Sequence, residues 1–378
     1  MCLAILIFPA ANVQACPAGV SGDEDHECTS WVVMPELTGG KKLLLHKNRD
    51  SVNPHKICLR RGTGKDGIEW IALADYNAGT NMGLNNRGLA VVMNSGDPSD
   101  GISTNRKGAV TPTLNQLLIS SCSSAPEAVK LLEQCVREKN YNHGKRGSIW
   151  MIADPKIVYV VENDAVRIAA HPVVRGFCIR ANCWHFPEMV IYSQHPVKQL
   201  IKYYRRETAV RQCLFENGTR YKAPVTLEKI AEASRIGLIP EDPDCYPLCG
   251  KYTLAAATIE IDCEYPGLLS TLYGSFGPPS HTAYLPVPLL LDPAKIPAEL
   301  ATPVFSDGVF SRWKARREFL APDKLAAFEL EMNRRHAAAL EEARRKLKNG
   351  GTRQDVQKIM TEVFLRNWEA LRKISEGK

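Results

Sequence analysis

The chain has 378 residues, of which 44% are apolar and 24% charged, with a formal net charge of +7. That balance suits a globular protein with a sizeable core and excludes a disordered or collagen-like chain. No apolar run is long enough for an integral membrane segment, and neither zinc-finger spacing nor an aromatic–basic motif points to nucleic acid.

Residues 3–12 form a short apolar run, and Val13-Gln14-Ala15 places a small residue at a cleavage position, the pattern of a secretory signal peptide that lacks its usual basic start. Val13-Gln14-Ala15-Cys16 also resembles a lipoprotein cleavage site, with Cys16 as the lipidated residue. Both readings predict export, to a periplasmic, extracellular or membrane-anchored location. Residues 17–27 are acidic and aperiodic and read as a removable spacer, so residues 1–27 form a signal peptide with a short propeptide. Their loss removes four acidic and no basic residues.

Strand signals follow at 30–34 and 42–46 around the hairpin signature Thr38-Gly39-Gly40. Others fall at 69–74 and 89–94, the latter entered through the turn Asn85-Asn86-Arg87-Gly88. The period then changes: Leu114, Leu117, Leu118 and Ile119 have helical spacing, and Ser124-Ala125-Pro126-Glu127 is a capping-box pattern opening a helix to about Val136. Strands return at 148–153 and 157–161 across Asp154-Pro155-Lys156, then near 165–170 and 177–181. Helices are expected at 196–216, stopped by Asn217-Gly218, and at 226–236, between Thr226 and Gly237. Strands at 252–261 and 267–273 complete an α+β pattern of antiparallel sheets covered by helices.

From residue 322 the text is helical again. Leu325, Phe328, Met332 and Leu340 form one stripe, Asn349-Gly350-Gly351 breaks it, and Val356, Ile359, Met360, Val363, Phe364 and Leu371 form a second. This hairpin is expected to pack on the body or on a partner subunit, the latter making a homo-oligomer. Residues 311–378 carry 17 basic and 10 acidic side chains, which suits a solvated helical face or an acidic partner surface. The expected division is therefore 1–27, a body of 28–310, and a helical extension of 311–378.

The chain has 12 cysteines, and export would permit disulfides; Cys178/Cys183 and Cys245/Cys249 are close enough in sequence to pair. Cys245/Cys249 would also suit half a metal site, but no second ligand pair stands at suitable spacing. Cys28 differs from the others because it heads a strand, Cys28-Thr29-Ser30-Trp31-Val32-Val33, and is followed by the polar cluster Lys47-Asn48-Arg49-Asp50 at the end of the next one. Once residues 1–27 are removed, Cys28 carries both a nucleophilic sulfur and a free α-amine, a nucleophile and base in one residue. The α-amine titrates at about 7.7–8.0, suited to accepting and returning a proton near neutral pH.

The Cys28-Thr29 opening, Asn48-Arg49-Asp50, the strand Gly88-Leu89-Ala90-Val91-Val92-Met93-Asn94 and the later Asn182 form an ordered set. In this set the chain resembles the N-terminal nucleophile hydrolases of the choloylglycine hydrolase, penicillin V acylase, carcinine-type linear amide hydrolase and acyl-coenzyme A:isopenicillin N acyltransferase group, over residues 28–290. The resemblance implies a four-layer αββα sandwich and cleavage of linear amide bonds, or acyl transfer, through a Cys28 thioester, with no cofactor or metal. It implies a small-molecule amide substrate. Asp50 would hold the α-amine, Asn94 and Asn182 would form the oxyanion hole, and Arg206 would reach back to the cluster from its helix. Lys47 stands where the group usually carries arginine, replacing a planar fork with a point charge; Cys183-Trp184 stands between Asn182 and His185, a departure from the group's usual spacing. Residues 150–154 and 159–162 match a core hairpin. The same chemistry would let Cys28 attack the Glu27 carbonyl and release the propeptide from a zymogen. Two other classes stay open: a papain-like Cys–His enzyme using His281, and a secreted binding protein with Cys28 in a disulfide.

Overall fold

The computed structural model describes residues 28–51, 56–77, 79–99, 108–142, 144, 146–215, 224–237, 247–250, 252–315 and 321–376. The signal peptide and spacer, Cys16, Cys245 and the helix stop Asn217-Gly218 lie outside the described residues.

In chain order the strands are β1 (Thr29–Val33), β2 (Lys42–Asp50), β3 (Ile57–Thr63), β4 (Glu69–Asp75), β5 (Gly79–Asn85), β6 (Ala90–Pro98), β7 (Ala109–Val110), β8 (Tyr141–Asn142), β9 (Arg146–Ala153), β10 (Val158–Asn163), β11 (Ile168–Val173), β12 (Phe177–Arg180), β13 (Thr253–Asp262), β14 (Thr271–Ser275) and β15 (Leu285–Pro288). The helices are α1 (Thr111–Ser121), α2 (Ala125–Arg137), α3 (Pro187–Val190), α4 (Val197–Leu214), α5 (Leu227–Ser234), α6 (Pro266–Leu269), α7 (Ala298–Ala301), α8 (Val304–Lys314), α9 (Pro322–Lys348) and α10 (Arg353–Ser375). One antiparallel sheet runs β12-β1-β2-β13-β14-β15 and a second runs β11-β10-β9-β6-β5-β4-β3; the short β7 and β8 pair parallel.

The two sheets stack face to face. Val32, Leu43, Leu45, Ala257 and Ile259 of the first meet Leu73, Met82, Val92 and Met151 of the second in one buried cluster. The outer face of the second sheet, with Trp70, Val91, Trp150 and Ile152, is covered by Leu114 and Leu118 of α1 and by Val129 and Leu132 of α2. Trp31, Val33, Leu44 and Ile179, on the outer face of the first sheet, pack against Val210 and Leu214 of α4 and Ile230 of α5. This is the expected αββα sandwich. Because both faces of β1 are covered, all five of its residues are buried and no apolar/polar alternation shows.

The Thr38-Gly39-Gly40 turn forms as read, with Gly39 at φ +92° and Gly40 at φ +89°, a region that costs other residues steric strain. Ser124 caps α2 by accepting from the Glu127 N–H at 3.4 Å, and Glu127 accepts in turn from the Ser123 N–H at 2.7 Å. Three expectations change. The segment 267–270 is not strand: Pro266 starts the short helix α6 and β14 begins only at Thr271. β2 runs on through the polar residues to Asp50. Cys178 and Cys183 are both free thiols, because Cys178 faces the inter-sheet core while Cys183 packs with Ala181 and Tyr203 of α4.

The C-terminal hairpin docks on the body. Met332, Phe364, Trp368 and Leu371 join the inter-sheet cluster, and both helices touch β15, the edge strand of the first sheet. Leu340, Val356 and Met360 form a further cluster with Leu269 and Leu290. Of the two packings expected for these stripes, the structure shows the one on the body.

His336 of α9 is fully buried, 2.9 Å from the Thr271 hydroxyl, and burial, with the Lys42 charge adding to it, lowers its pKa from 6.5 to about 3. The unfolded chain therefore takes up a proton below pH 6.5 that the folded chain refuses, so stability falls as pH falls from 6.5 toward 3. Urea unfolding of His336→Gln should show a shallower decline between pH 6 and 4.5 than the wild type, by up to about 1.4 kcal/mol per pH unit.

Candidate active site

The site grows out of the alternation of β1 and β2. β1 pairs antiparallel with β2, Thr29 opposite Asn48 and Ser30 opposite Lys47, which sets Cys28 at the strand head beside Arg49 and Asp50. Cys28 is a free, buried thiol whose Sγ lies 3.7 Å from the main-chain oxygen of Asp50. Along β2, Lys47 and Arg49 point toward the second sheet, while His46, Asn48 and Asp50 point toward the helices.

Each polar side chain of β2 finds a different partner. The Lys47 ammonium donates to the carbonyl of Met93 and, at 2.9 Å, to Asn94 Oδ1, both on β6. Lys47 is fully buried; that burial lowers its pKa, opposed by the charge and hydrogen bond of Cys28. Asn48 Nδ2 donates to the carbonyls of Ser234 (2.8 Å) and Leu248 (2.9 Å), and its Oδ1 lies 2.8 Å from His46 Nε2. Arg49 forms a forked ion pair with Asp75 of β4, its Nε 3.1 Å from Oδ1, so it is turned away from the thiol although it shares the Lys47 face. Asp50 Oδ2 accepts from both Arg206 amino groups, at 3.4 and 3.3 Å, and Arg206 Nε donates to Thr29 Oγ1 at 3.0 Å. Burial raises the Asp50 pKa, with Arg206 as the main opposing influence. The other carboxylate oxygen of Asp50, Oδ1, is buried and makes no hydrogen bond among the described residues.

Asn94 is a four-way junction. Its Oδ1 accepts from Ser30 Oγ (2.7 Å) and Lys47, while its Nδ2 donates to the carbonyls of Arg180 (3.1 Å) and Ala181 (3.2 Å). Both amide protons are committed to carbonyls, so this side chain ties β1, β2, β6 and the end of β12 together and presents no spare donor to an oxyanion. Asn182 spends an amide proton on the Ser95 carbonyl at 2.7 Å, keeping at most one, while its Oδ1 is buried without a partner. The arrangement thus departs from a ready-made pair of amide donors.

The segment carrying Asn182 is pinned from several sides. Glu162 of β10 accepts the main-chain N–H groups of His185 (2.9 Å) and Phe186 (2.9 Å), and also Arg180 Nε at 3.2 Å. The Trp184 N–H donates to Asp97 Oδ1 at 3.0 Å. Burial raises the Asp97 pKa to about 7. The Trp184 ring lies over Gly96 and Gly147; a Cβ on Gly96 would stand 2.8 Å from Trp184 Nε1, and one on Gly147 would strike the ring and the Asn163 carbonyl.

The structure brings Cys28, Lys47, Asp50, Asn94 and Arg206, each singled out in the sequence, into one connected cluster, with Asn182 one residue beyond a carbonyl that Asn94 holds. The sequence reading gives no role in the site to Asp75, reads Thr29 and Ser30 only as part of the strand that Cys28 heads, and reads Glu162 only as part of a core hairpin. His281 Nδ1 lies 2.7 Å from Ser280 Oγ, which is 3.2 Å from the Cys249 sulfur; that chain, not Cys28, is where the described ring contact leads. A cavity of about 440 Å³ lies apart from Cys28, between α5, β13, β14 and α9, and its wall includes Thr258, 2.8 Å from His46 Nδ1.

No protein-family profile matches the chain, and no curated protein sequence matches it. Among solved structures, penicillin V acylase from Agrobacterium tumefaciens aligns at 15% identity and a TM-score of 0.41, covering 66% of this chain and 84% of that one. The C2A mutant of conjugated bile acid hydrolase from Clostridium perfringens aligns at 12% identity and a TM-score of 0.36, covering 69% of this chain and 92% of that one.

Removing one partner of a buried ion pair typically costs about 3–5 kcal/mol, because the other charge is left uncompensated. Arg206→Leu should lose stability on that scale in denaturant titrations at pH 7. The deficit should shrink as pH falls and Asp50 takes up a proton, and Asp50→Asn in the same chain should recover part of it.

Proposed function

We propose that the chain is a cysteine N-terminal nucleophile hydrolase acting on linear amides, matured by removal of residues 1–27. The observation that carries this reading is the setting of Cys28: a free thiol at a strand head, flanked by the Lys47 ammonium on one face and the Asp50–Arg206 pair on the other. Asp50 Oδ1 is a buried acceptor without a partner, and the α-amine freed at Cys28 would be a suitable cation for it. The free thiol also weighs against the disulfide-bonded binding protein.

In maturation the Cys28 sulfur attacks the Glu27 carbonyl carbon, the peptide C–N bond breaks in an N-to-S shift, and water hydrolyses the thioester, releasing residues 1–27 and the α-amine. In turnover the α-amine takes the thiol proton, the sulfur attacks the substrate carbonyl, and the proton passes to the leaving amine. Water then hydrolyses the acyl thioester, or a second nucleophile takes the acyl group. The Lys47 ammonium stabilises the thiolate. Asn94 holds Lys47 in place, and Asn182 supplies an oxyanion donor from its remaining amide proton.

Intact mass and N-terminal sequencing test the reading directly. The wild type should begin at Cys28, whereas Cys28→Ala should retain Pro17–Glu27 and hydrolyse none of a panel of fluorogenic N-acyl amides. A wild-type chain that begins at Cys16 and cleaves no amide would overturn it. On the same panel Lys47→Met should lower kcat/KM by about 10²–10³, the usual effect of losing one preorganised electrostatic partner, with Lys47→Arg retaining more activity.

A further inference from the structure

A second cluster of chemistry-bearing side chains lies next to the Asn182 segment, away from the thiol of Cys28. Cys183, His185 and Glu207 bring one ligand atom each to within 4.8 Å of one another. The Cys183 sulfur is 3.6 Å from His185 Nε2, and the same nitrogen is 3.0 Å from Glu207 Oε1. Cys183 is buried, the His185 side chain is 22% exposed and that of Glu207 10%, so solvent reaches the cluster mainly at His185.

One ring nitrogen faces both the thiol and the carboxylate. With a proton on Nε2 the ring donates to Glu207, and the weakly accepting Cys183 sulfur stands beside the same N–H. The three groups therefore hold together without an ion, and they also present three metal-ligating atoms to one point. A cation between them would be bound by sulfur, nitrogen and oxygen together. With Zn–S at about 2.3 Å and Zn–N and Zn–O at about 2.0–2.2 Å, tetrahedral geometry sets the ligand atoms roughly 3.3–3.6 Å apart; the Cys183–His185 pair already has that spacing at 3.6 Å, and the His185–Glu207 pair, at 3.0 Å, would have to open slightly to admit an ion.

We infer that Cys183, His185 and Glu207 form a binding site for a zinc-type divalent transition metal, with three protein ligands and a fourth position toward solvent. A thiolate, an imidazole and a carboxylate select such an ion over magnesium or calcium. The ligands are already held in place. The His185 main-chain N–H is bound by Glu162, and the Glu207 oxygen that faces His185, Oε1, also accepts the Ala181 N–H at 2.8 Å. Tyr204, one turn earlier on α4, meets the His185 ring edge-on at 5.1 Å between centroids. The ion would bridge the Asn182 segment to α4, which carries Arg206 in the position just before Glu207. It would therefore fasten two parts of the candidate active site without touching the thiol.

The test uses the purified full chain, stripped with chelator and dialysed against Co²⁺ alone or Zn²⁺ alone. About one equivalent of metal should be retained, and the cobalt form should show thiolate-to-cobalt charge transfer together with the visible bands of a tetrahedral site. Cys183→Ser should lose the charge-transfer band while keeping the wild-type circular dichroism. His185→Ala and Glu207→Gln should each weaken binding more than the about 10–100-fold typical of outer-shell changes. Cys213→Ser, on another face of α4, should keep the band. Cys28→Ala should keep it too, so the site can fail or hold independently of the amidase reading. No retained metal, or a band that survives Cys183→Ser, would overturn the proposal and leave the trio as a hydrogen-bonded cluster.

Discussion

The constraint on which the rest of the architecture depends is a run of four polar side chains at the end of β2, of which Lys47, Asn48 and Asp50 are buried and Arg49 is partly so. A strand sends successive residues to opposite faces, so Lys47 and Arg49 must find partners on one side of the sheet and Asn48 and Asp50 on the other. Each must be satisfied in a different place: Lys47 on β6, Asn48 by main-chain carbonyls near α5, Arg49 on β4 and Asp50 on α4. Buried charges without partners would cost several kcal/mol each. One strand end therefore fixes the distance between the two sheets and the seating of a helix layer on the first. The thiol of Cys28 sits where these four demands converge.

Asn94 extends that logic across the sandwich. An amide side chain has two acceptor sites and two donors, and this one uses all four on β1, β2 and the carbonyls at the end of β12. The Asn182 segment is then held by Glu162 and Asp97 through main-chain N–H groups. Neither arrangement depends on what the segment's own side chains do, which leaves Cys183 and His185 available for a separate task.

Much of the sandwich was legible in the sequence, for identifiable reasons. Gly39 and Gly40 announce the first hairpin, the Ser124 and Thr226 caps open α2 and α5, and the Asn349-Gly350-Gly351 break parts two helices whose stripes have clear period. β3 and β5 were not found. Arg60 and Arg61 interrupt the first, and Gly79-Thr80-Asn81 gives the second the look of a turn. β2 was cut short because its polar tail reads as a strand ending, and only tertiary partners reveal it as buried sheet. The site was legible as a set of residues but not as a set of contacts. No feature of the sequence shows that Arg49 turns to Asp75, that the Asn94 amide is fully committed, or that Cys178 and Cys183 face different layers.

The C-terminal hairpin gives the first sheet a property that its strand order alone would not. β15 is an edge strand, and an edge with open main-chain groups invites pairing with another chain. α9 and α10 of the same molecule lie against that strand. Their joint with the inter-sheet core, through Phe364 and Trp368, means that detaching the hairpin would bare apolar core and strand edge together. The last two helices thus cover apolar core and an edge strand at once, so the two surfaces stay hidden or come into view together.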